Sequence, residues 1–269
     1  MIRLPAVAGQ FYPADPQELS ALIQKFTIRP KGEVPLRVRA CMMPHAGYVY
    51  SGHVAGAVLA RIALPKKILL LGVRHHPRGE QLATLSEGVW RTPLGDAPID
   101  SELARRFVNA CPLLREDAVA HSREHSLEVE LPFLQQLDPH FSFVPVAVGS
   151  MNYDELEQTG KCIGSVLAEC GDDVLVVTSS DMNHYEDDET TRWKDHIAIE
   201  ALLQLDARKL HHVCREEDIS MCGLGPAVVM LTAMKWLGVA HAQLVRYATS
   251  GDVSADRSSV VGYAGMIFY

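Results

Sequence analysis

Four short stretches put histidine, aspartate or cysteine at the end of an apolar run or the start of one. "MMPHAGYVYSG" carries His45, "LLLGVRHHP" carries His75 and His76, "VVTSSDMNHYE" carries Asp181 and His184, and "ISMCGLGPAVVM" carries Cys222. These residue types hold metals and move protons. Imidazole suits iron, copper and zinc, carboxylate is a hard donor suited to ferrous iron, and thiolate is a soft one. Histidine also exchanges protons near neutrality. The chain has 12 histidines, a high count that directs attention to a metal. No CxxC pair is present, so a zinc finger or ribbon is excluded. There is also no GxSxG elbow, Walker loop or dinucleotide fingerprint. The donors come from distant parts of the chain, as in open catalytic metal sites with two histidines and a third group. That third group is Asp181 or Cys222. Cys222 precedes the apolar helix that Pro226 opens, and a helix amino terminus lowers a thiol's pKa. The alternative is a buried small hydrophobe.

Only a sheet whose strands end together brings such residues to one place. "RVRACMMP", "KKILLLGV", "FSFVPVAVG" and "DVLVVTSSD" read as strands, the second and fourth with the pattern of strands buried on both faces. "DPQELSALIQKF", "SGHVAGAVLARIA", a segment from Ser101, "YDELEQTGKCIGSVLAEC", the region 190–213 and "GPAVVMLTAMKWLG" read as helices. "SEGVWRTPLGDAPID" reads as turn-rich. The closing "AQLVRYATS" and "SSVVGYAGMIFY" are strand candidates close enough to pair antiparallel. The alternation predicts one α/β domain over residues 1–269, with a mostly parallel, mixed central sheet and helices on both faces. Ligands of such sheets bind beyond the carboxyl ends of the strands, where His45, His75, His76, Asp181 and His184 fall. Neighbouring residues on an extended chain diverge, so one of His75 and His76 joins a given site. "HSREHSLEVELPFLQQL" reads as helical up to a break marked by proline, which puts His125 and Glu128 on one face. There they are a partly buried helix start, or a pair supporting the site or lining its pocket.

The net charge of −8, with no basic block, argues against a nucleic-acid surface. No apolar stretch is long enough to span a membrane. The amino terminus lacks a secretion signal's apolar core, and Cys41, Cys111, Cys162, Cys170, Cys214 and Cys222 form no disulfide framework. A cytoplasmic protein with reduced thiols is expected.

"PHAGYVYSG", "LLLGVRHHP", "REHSLEVELPFL", "VVTSSDMNHY", "MCGLGP" and "SSVVGYAG" occur in the order expected of the Memo family, which the chain resembles nearly end to end. The opening "LPAVAGQFYPADP" resembles the microbial branch called AmmeMemoRadiSam system protein B. The resemblance implies a fold similar to the class III extradiol dioxygenases, non-haem iron enzymes that open catechol rings, and a metal site. The family's ligands fall on His45, His75 and Cys222, while Asp181 and His184 line the same pocket. In the related dioxygenases the third ligand is a carboxylate and a pocket histidine acts as acid and base. His184 is its counterpart here, and the thiolate departs from that pattern. His76 is left facing away from the metal or along the rim.

The family is associated with Fe(II) or copper and redox chemistry. Animal members are associated with phosphotyrosine-peptide binding, but "CGLG" lacks a histidine that they carry. The microbial name implies association with radical SAM and AMMECR1-type proteins. The expectation is therefore a redox enzyme acting on a small substrate, with Asp181 as further ligand or orienting group and His184 moving the proton. The alternatives are a metal-containing module that binds a peptide or protein partner, and a zinc hydrolase.

Overall fold

The apolar runs become the middle of one sheet. The computed structural model describes all 269 residues. Its strands are β1 (Ile2–Arg3), β2 (Ala40–Met43), β3 (Lys67–Val73), β4 (Leu82–Thr84), β5 (Val89–Thr92), β6 (Gly95–Pro98), β7 (Arg115–Glu116), β8 (Ser142–Val148), β9 (Val174–Ser179), β10 (His184–Glu186), β11 (Ala242–Thr249) and β12 (Val260–Phe268). Its helices are α1 (Pro16–Phe26), α2 (Tyr48–Leu59), α3 (Ser101–Ala110), α4 (Ala118–His121), α5 (Leu131–Leu137), α6 (Tyr153–Cys170), α7 (Asp188–Leu203), α8 (Ala207–Glu216), α9 (Leu224–Trp236) and α10 (Gly251–Ser254).

Nine strands form a mixed sheet in the order β10-β12-β2-β9-β3-β8-β4-β7, with β11 on β12. The central strands β2, β9, β3 and β8 run parallel. As expected, β11 and β12 pair antiparallel, and β12 joins β2 in the same sense. Both faces of the sheet are covered. Gly262 and Gly265 are three apart on β12, so they point to opposite faces. A Cβ at Gly262 would strike Asp195 of α7, and one at Gly265 would strike Val54 and Val58 of α2. The glycines let both helices press onto the strand. One cluster of 69 buried side chains forms the core between the layers.

Two local expectations fail. "SEGVWRTPLGDAPID" is not merely turns, because it holds the hairpin of β5 and β6, whose Gly95 turns with φ 122°. The helix expected across residues 121–137 is broken. α4 ends at His121, an irregular segment follows, and a 3-10 turn (Glu128–Glu130) leads into α5. Arg3 holds the irregular segment in place. Its guanidinium donates to the carbonyls of His121 (3.0 Å) and Glu124 (2.6 Å). Pro132 begins α5 rather than ending it.

Candidate metal centre

The parallel register does the placing. Met43 lies beside Ser179 at the ends of β2 and β9, and β3 runs along the other side of β9. His45, His75 and Asp181 each stand two residues past a strand end, so they meet at one edge of the sheet. His45 is buried there, while His75 reaches the open side.

A third imidazole joins them. Donor atoms of His45, His75 and His125 all lie within 4.8 Å of one another. The ring centroids are 5.3 Å apart for His45 and His75, 5.5 Å for His45 and His125, and 4.5 Å for the stacked pair His75 and His125. His125 therefore belongs to the site itself, through the irregular segment and not through a helix face shared with Glu128. Glu128 is turned elsewhere. Its Oε1 accepts from the Val7 amide (3.0 Å) and the Tyr12 hydroxyl (2.6 Å), and its Oε2 from the Ala6 amide (2.7 Å) and Arg3. It pins the amino-terminal segment, which in turn lays Phe11 against His125 at 4.9 Å. The expectation that Glu128 lines the pocket is corrected on that ground.

The sequence reading passed over Glu124, which organises the imidazoles. The fully buried carboxylate accepts the His75 amide on Oε2 (2.6 Å), and His75 Nδ1–H (2.8 Å) and the Ser126 amide (2.8 Å) on Oε1. His125 Nδ1 is 3.6 Å away. Burial alone would raise its pKa, but the His75 hydrogen bond and charge, with the Ser126 amide, hold this carboxyl well below the usual carboxylate range. The position was visible as "REHS", beside His125. His121, four residues before His125, takes no part: it is fully buried with its ring edge-on to Trp90.

Hydrogen bonding sets the tautomers. A carboxylate only accepts, so His75 carries its proton on Nδ1 and presents a lone pair on Nε2. His45 Nδ1 meets Ser179 Oγ at 2.8 Å. The Ser179 hydroxyl faces two other oxygens, Ser126 O (2.7 Å) and Glu130 Oε1 (2.9 Å). Its one proton goes to that side, so His45 Nδ1–H donates to Ser179 and His45 Nε2 carries the lone pair. Burial, and then the neighbouring His75 charge, pull His45 down to about 3. Burial, and then His45, pull His125 down to about 4. Both rings are neutral near pH 7 and can offer lone pairs. Burial holds Glu130, behind Ser179, well above the usual carboxylate range.

Asp181 Oδ1 accepts the amides of His45 (2.8 Å) and Ala46 (3.2 Å), while Oδ2 is 4.0 Å from His45 Nε2. It fixes the His45 backbone and keeps one oxygen toward the imidazoles. Cys222 Sγ is 3.3 Å from His45 Nε2 and accepts the Asp181 amide at 3.3 Å. Gly223 permits this approach. A Cβ there would come within 2.2 Å of the Ser180 Cβ, and its amide donates to Ser180 Oγ at 3.0 Å. The expected lowering of the Cys222 pKa by the α9 terminus is reversed. Burial, and then the Asp181 charge, push the thiol up, so the metal-free sulfur is a thiol.

His184 lies on the edge strand β10. Its amide donates to Ser220 Oγ (2.8 Å) and its Nδ1–H to Ser220 O (2.9 Å), which leaves Nε2 as an acceptor. His76 faces away, exposed, with Nε2 at 3.1 Å from Arg123 O. Phe11, His45, His75, His125, Asp181, His184, Tyr185 and Cys222 are among the residues around an open cavity of about 640 Å³. Tyr185, 78% exposed, stands at the cavity with φ 63°, a conformation uncommon for a bulky side chain.

The donor set fits a metal ion. Three imidazoles converge, at least two of them kept neutral by burial, with outer nitrogens turned to acceptors in the manner that orients metal-binding histidines. Fold and site thus define an α/β protein with a possible three-histidine metal site at the carboxyl edge of its sheet. The chain belongs to the Memo family: residues 3–267 match the model described as Memo-like protein. MEMO1 family proteins from Methanopyrus kandleri (40% identical, covering 100% of this chain and 99% of that one), Aquifex aeolicus (41%, 99% and 99%) and Archaeoglobus fulgidus (42%, 99% and 99%) align over essentially full length. The fold is also that of the uncharacterized protein JW3007 from Escherichia coli K12, with TM-score 0.60 at 15% identity over 86% of this chain and 100% of that one. No helix is long and apolar enough to cross a membrane.

Proposed function

We propose that this is a non-haem metal-dependent redox protein, dioxygenase-like, that holds Fe(II) and acts on a small substrate in the cytoplasm. The observation that carries the reading is the convergence of His45, His75 and His125 on the wall of an open cavity, with the Asp181 carboxylate beside them. Imidazoles with a carboxylate and open positions are the pattern of non-haem ferrous centres. Bound there, the ion would supply one-electron chemistry between an oxidant and a substrate. The protein's own residues supply the rest. Glu124 and Ser179 orient His75 and His45. His184 accepts a substrate proton at Nε2, because Ser220 O holds the proton on Nδ1. Phe11 and Tyr185 give the cavity aromatic walls.

Cys222 favours copper as an alternative occupant, since a metal that took this sulfur would bind a thiolate. Three imidazoles are also a zinc set, in which Asp181 or His184 would serve a hydrolase as base. Metal analysis of protein purified without air separates these readings. Exposure of the ferrous protein to nitric oxide tests for an open coordination position. An electron paramagnetic resonance signal from the adduct supports the redox reading. Bound iron without such a signal overturns it in favour of a closed site in a binding module. Zinc as the native metal overturns the redox reading too.

A further inference from the structure

A cavity larger than the one at the imidazoles lies elsewhere on the molecule. A groove of about 1120 Å³ runs between α6, α8 and α9. Lys161, Arg208, Lys209, Arg215 and Lys235 line it, five of the 25 lysines and arginines of a chain whose net charge is −8. Its carboxylates are Glu157, Asp206 and Glu216, and two of these are engaged. Glu157 pairs with Lys161 (2.5 Å) and Arg208 (3.7 Å), and Asp206 caps α8 through the Lys209 amide (2.9 Å). Arg208 also lies over the Tyr153 ring at 4.2 Å. Lys209, Arg215 and Lys235 pair with no carboxylate, and Lys209 Nζ reaches only the neutral Gln204 side chain (3.0 Å). Trp236 adds an apolar anchor. It packs on α6 at Gly164, where a Cβ would meet its side chain at 2.8 Å, yet it is 55% exposed. A rigid, half-exposed indole among unpaired cations is the composition of a protein-binding spot.

We propose that this groove docks an acidic, extended segment of a partner protein, with an apolar side chain of that segment on Trp236. Spacing favours a peptide over a phosphate ligand. Lys209 and Arg215 are six residues apart on α8, about 9 Å along the helix axis. Carboxylates about three residues apart on an extended chain span that distance, whereas the phosphates of one nucleotide form a single cluster. The contrast between a basic groove and an acidic chain gives the partner a place to be steered to.

The test uses a fluorescent peptide of glutamate with leucine at every third position, and its lysine-for-glutamate counterpart, titrated onto the full chain and followed by anisotropy. The acidic peptide binds, added salt weakens it, and Arg215→Glu/Lys235→Glu weakens it about tenfold or more. Lys31→Glu/Arg105→Glu, the same charge change on exposed positions outside the groove, leaves it bound. Circular dichroism and metal content of the groove variant stay as in wild type, since the imidazole site is untouched. Equal binding of the two peptides, or an unchanged affinity in the groove variant, overturns the proposal. Displacement of the acidic peptide by a nucleoside triphosphate that itself binds more tightly also overturns it, and assigns the groove to a phosphate ligand.

Discussion

Replacing Glu124 by glutamine changes one atom and tests the organisation of the whole site. The carboxylate is fully buried and accepts three N–H groups, two from His75 and one from Ser126. An amide keeps one accepting oxygen and turns the other atom into a donor. In one orientation its NH₂ opposes the His75 amide. In the other it faces His75 Nδ1, and the ring relieves the clash by moving its proton to Nε2, the nitrogen needed by the metal. Either way at least one charge-assisted hydrogen bond is lost, at about 1.5–3 kcal/mol. A chain of this size shifts its melting midpoint by about 2–4 °C per kcal/mol, so the metal-free variant melts about 3–12 °C lower. Loss of a group that orients a ligand histidine costs about 10–100-fold in metal affinity, or ~1.4–2.8 kcal/mol. The assay is a chelator-competition titration without air, beside thermal melting of the metal-free protein. Glu102→Gln, an exposed first-turn residue of α3, serves as control. Wild-type metal affinity in a folded Glu124→Gln protein refutes the claim that this carboxylate sets the His75 tautomer.

The two neighbouring histidines should separate cleanly. His75→Ala loses metal by elemental analysis, whereas His76→Ala, whose ring lies outside the cluster on Arg123 O, retains it. The buried rings of His45 and His125 should keep flat NMR signals from pH 7 to pH 5, since their pKa values lie at about 3 and about 4. The unfolded chain binds these protons near pH 6.5. The rings' contribution to stability is therefore complete above that pH and is lost progressively as pH falls toward 4 and 3. A titration midpoint near 6.5 for either ring shows that it is not buried as described. Glu128→Ala leaves Arg3 and two amides of the amino-terminal segment without their acceptor. That should destabilise by about 3–5 kcal/mol and open the first twelve residues to limited proteolysis. An intact amino terminus under protease would contradict the anchoring role.

The residues past the parallel strands were legible because a strand leaves an unambiguous trace. "KILLLGV" and "VLVVTS" are apolar on both faces, so they are central, and whatever follows them lies at the sheet's edge. That logic finds His45, His75 and Asp181 without any contact being known. It fails for the segment around His125, where the local pattern favours a helix and the irregular backbone is held by Arg3, more than a hundred residues away in sequence. A helical reading couples His125 to Glu128 by spacing. The actual backbone couples it to Glu124, its chain neighbour, and sends Glu128 to the amino terminus. His184 was placed past a strand and is instead on one, because β10 is too short and too polar to leave a periodic signal.

Cys222 shows the limit of arguing electrostatics from sequence. Proximity to a helix start predicts a lowered thiol pKa, and α9 does start beside it. The helix field acts on a sulfur that is also packed beside the Asp181 carboxylate, and removal from water together with that negative charge outweighs it. The same balance runs through the site in both directions. Burial removes the charge from His45 and His125 and pushes Glu130 upward, while Glu124 is held low because N–H donors surround it. The result is that the His45 and His125 rings are neutral before any ion arrives, so an incoming cation meets a lone pair on each and does not have to displace protons from them. Cys222 is the exception, since a metal that takes this sulfur must release its proton. Metal uptake should therefore displace no proton from His45 or His125 above about pH 5, and uptake that engages Cys222 should release one proton per ion. Proton release measured in weakly buffered solution, in wild type against Cys222→Ser, decides which set of donors an ion uses.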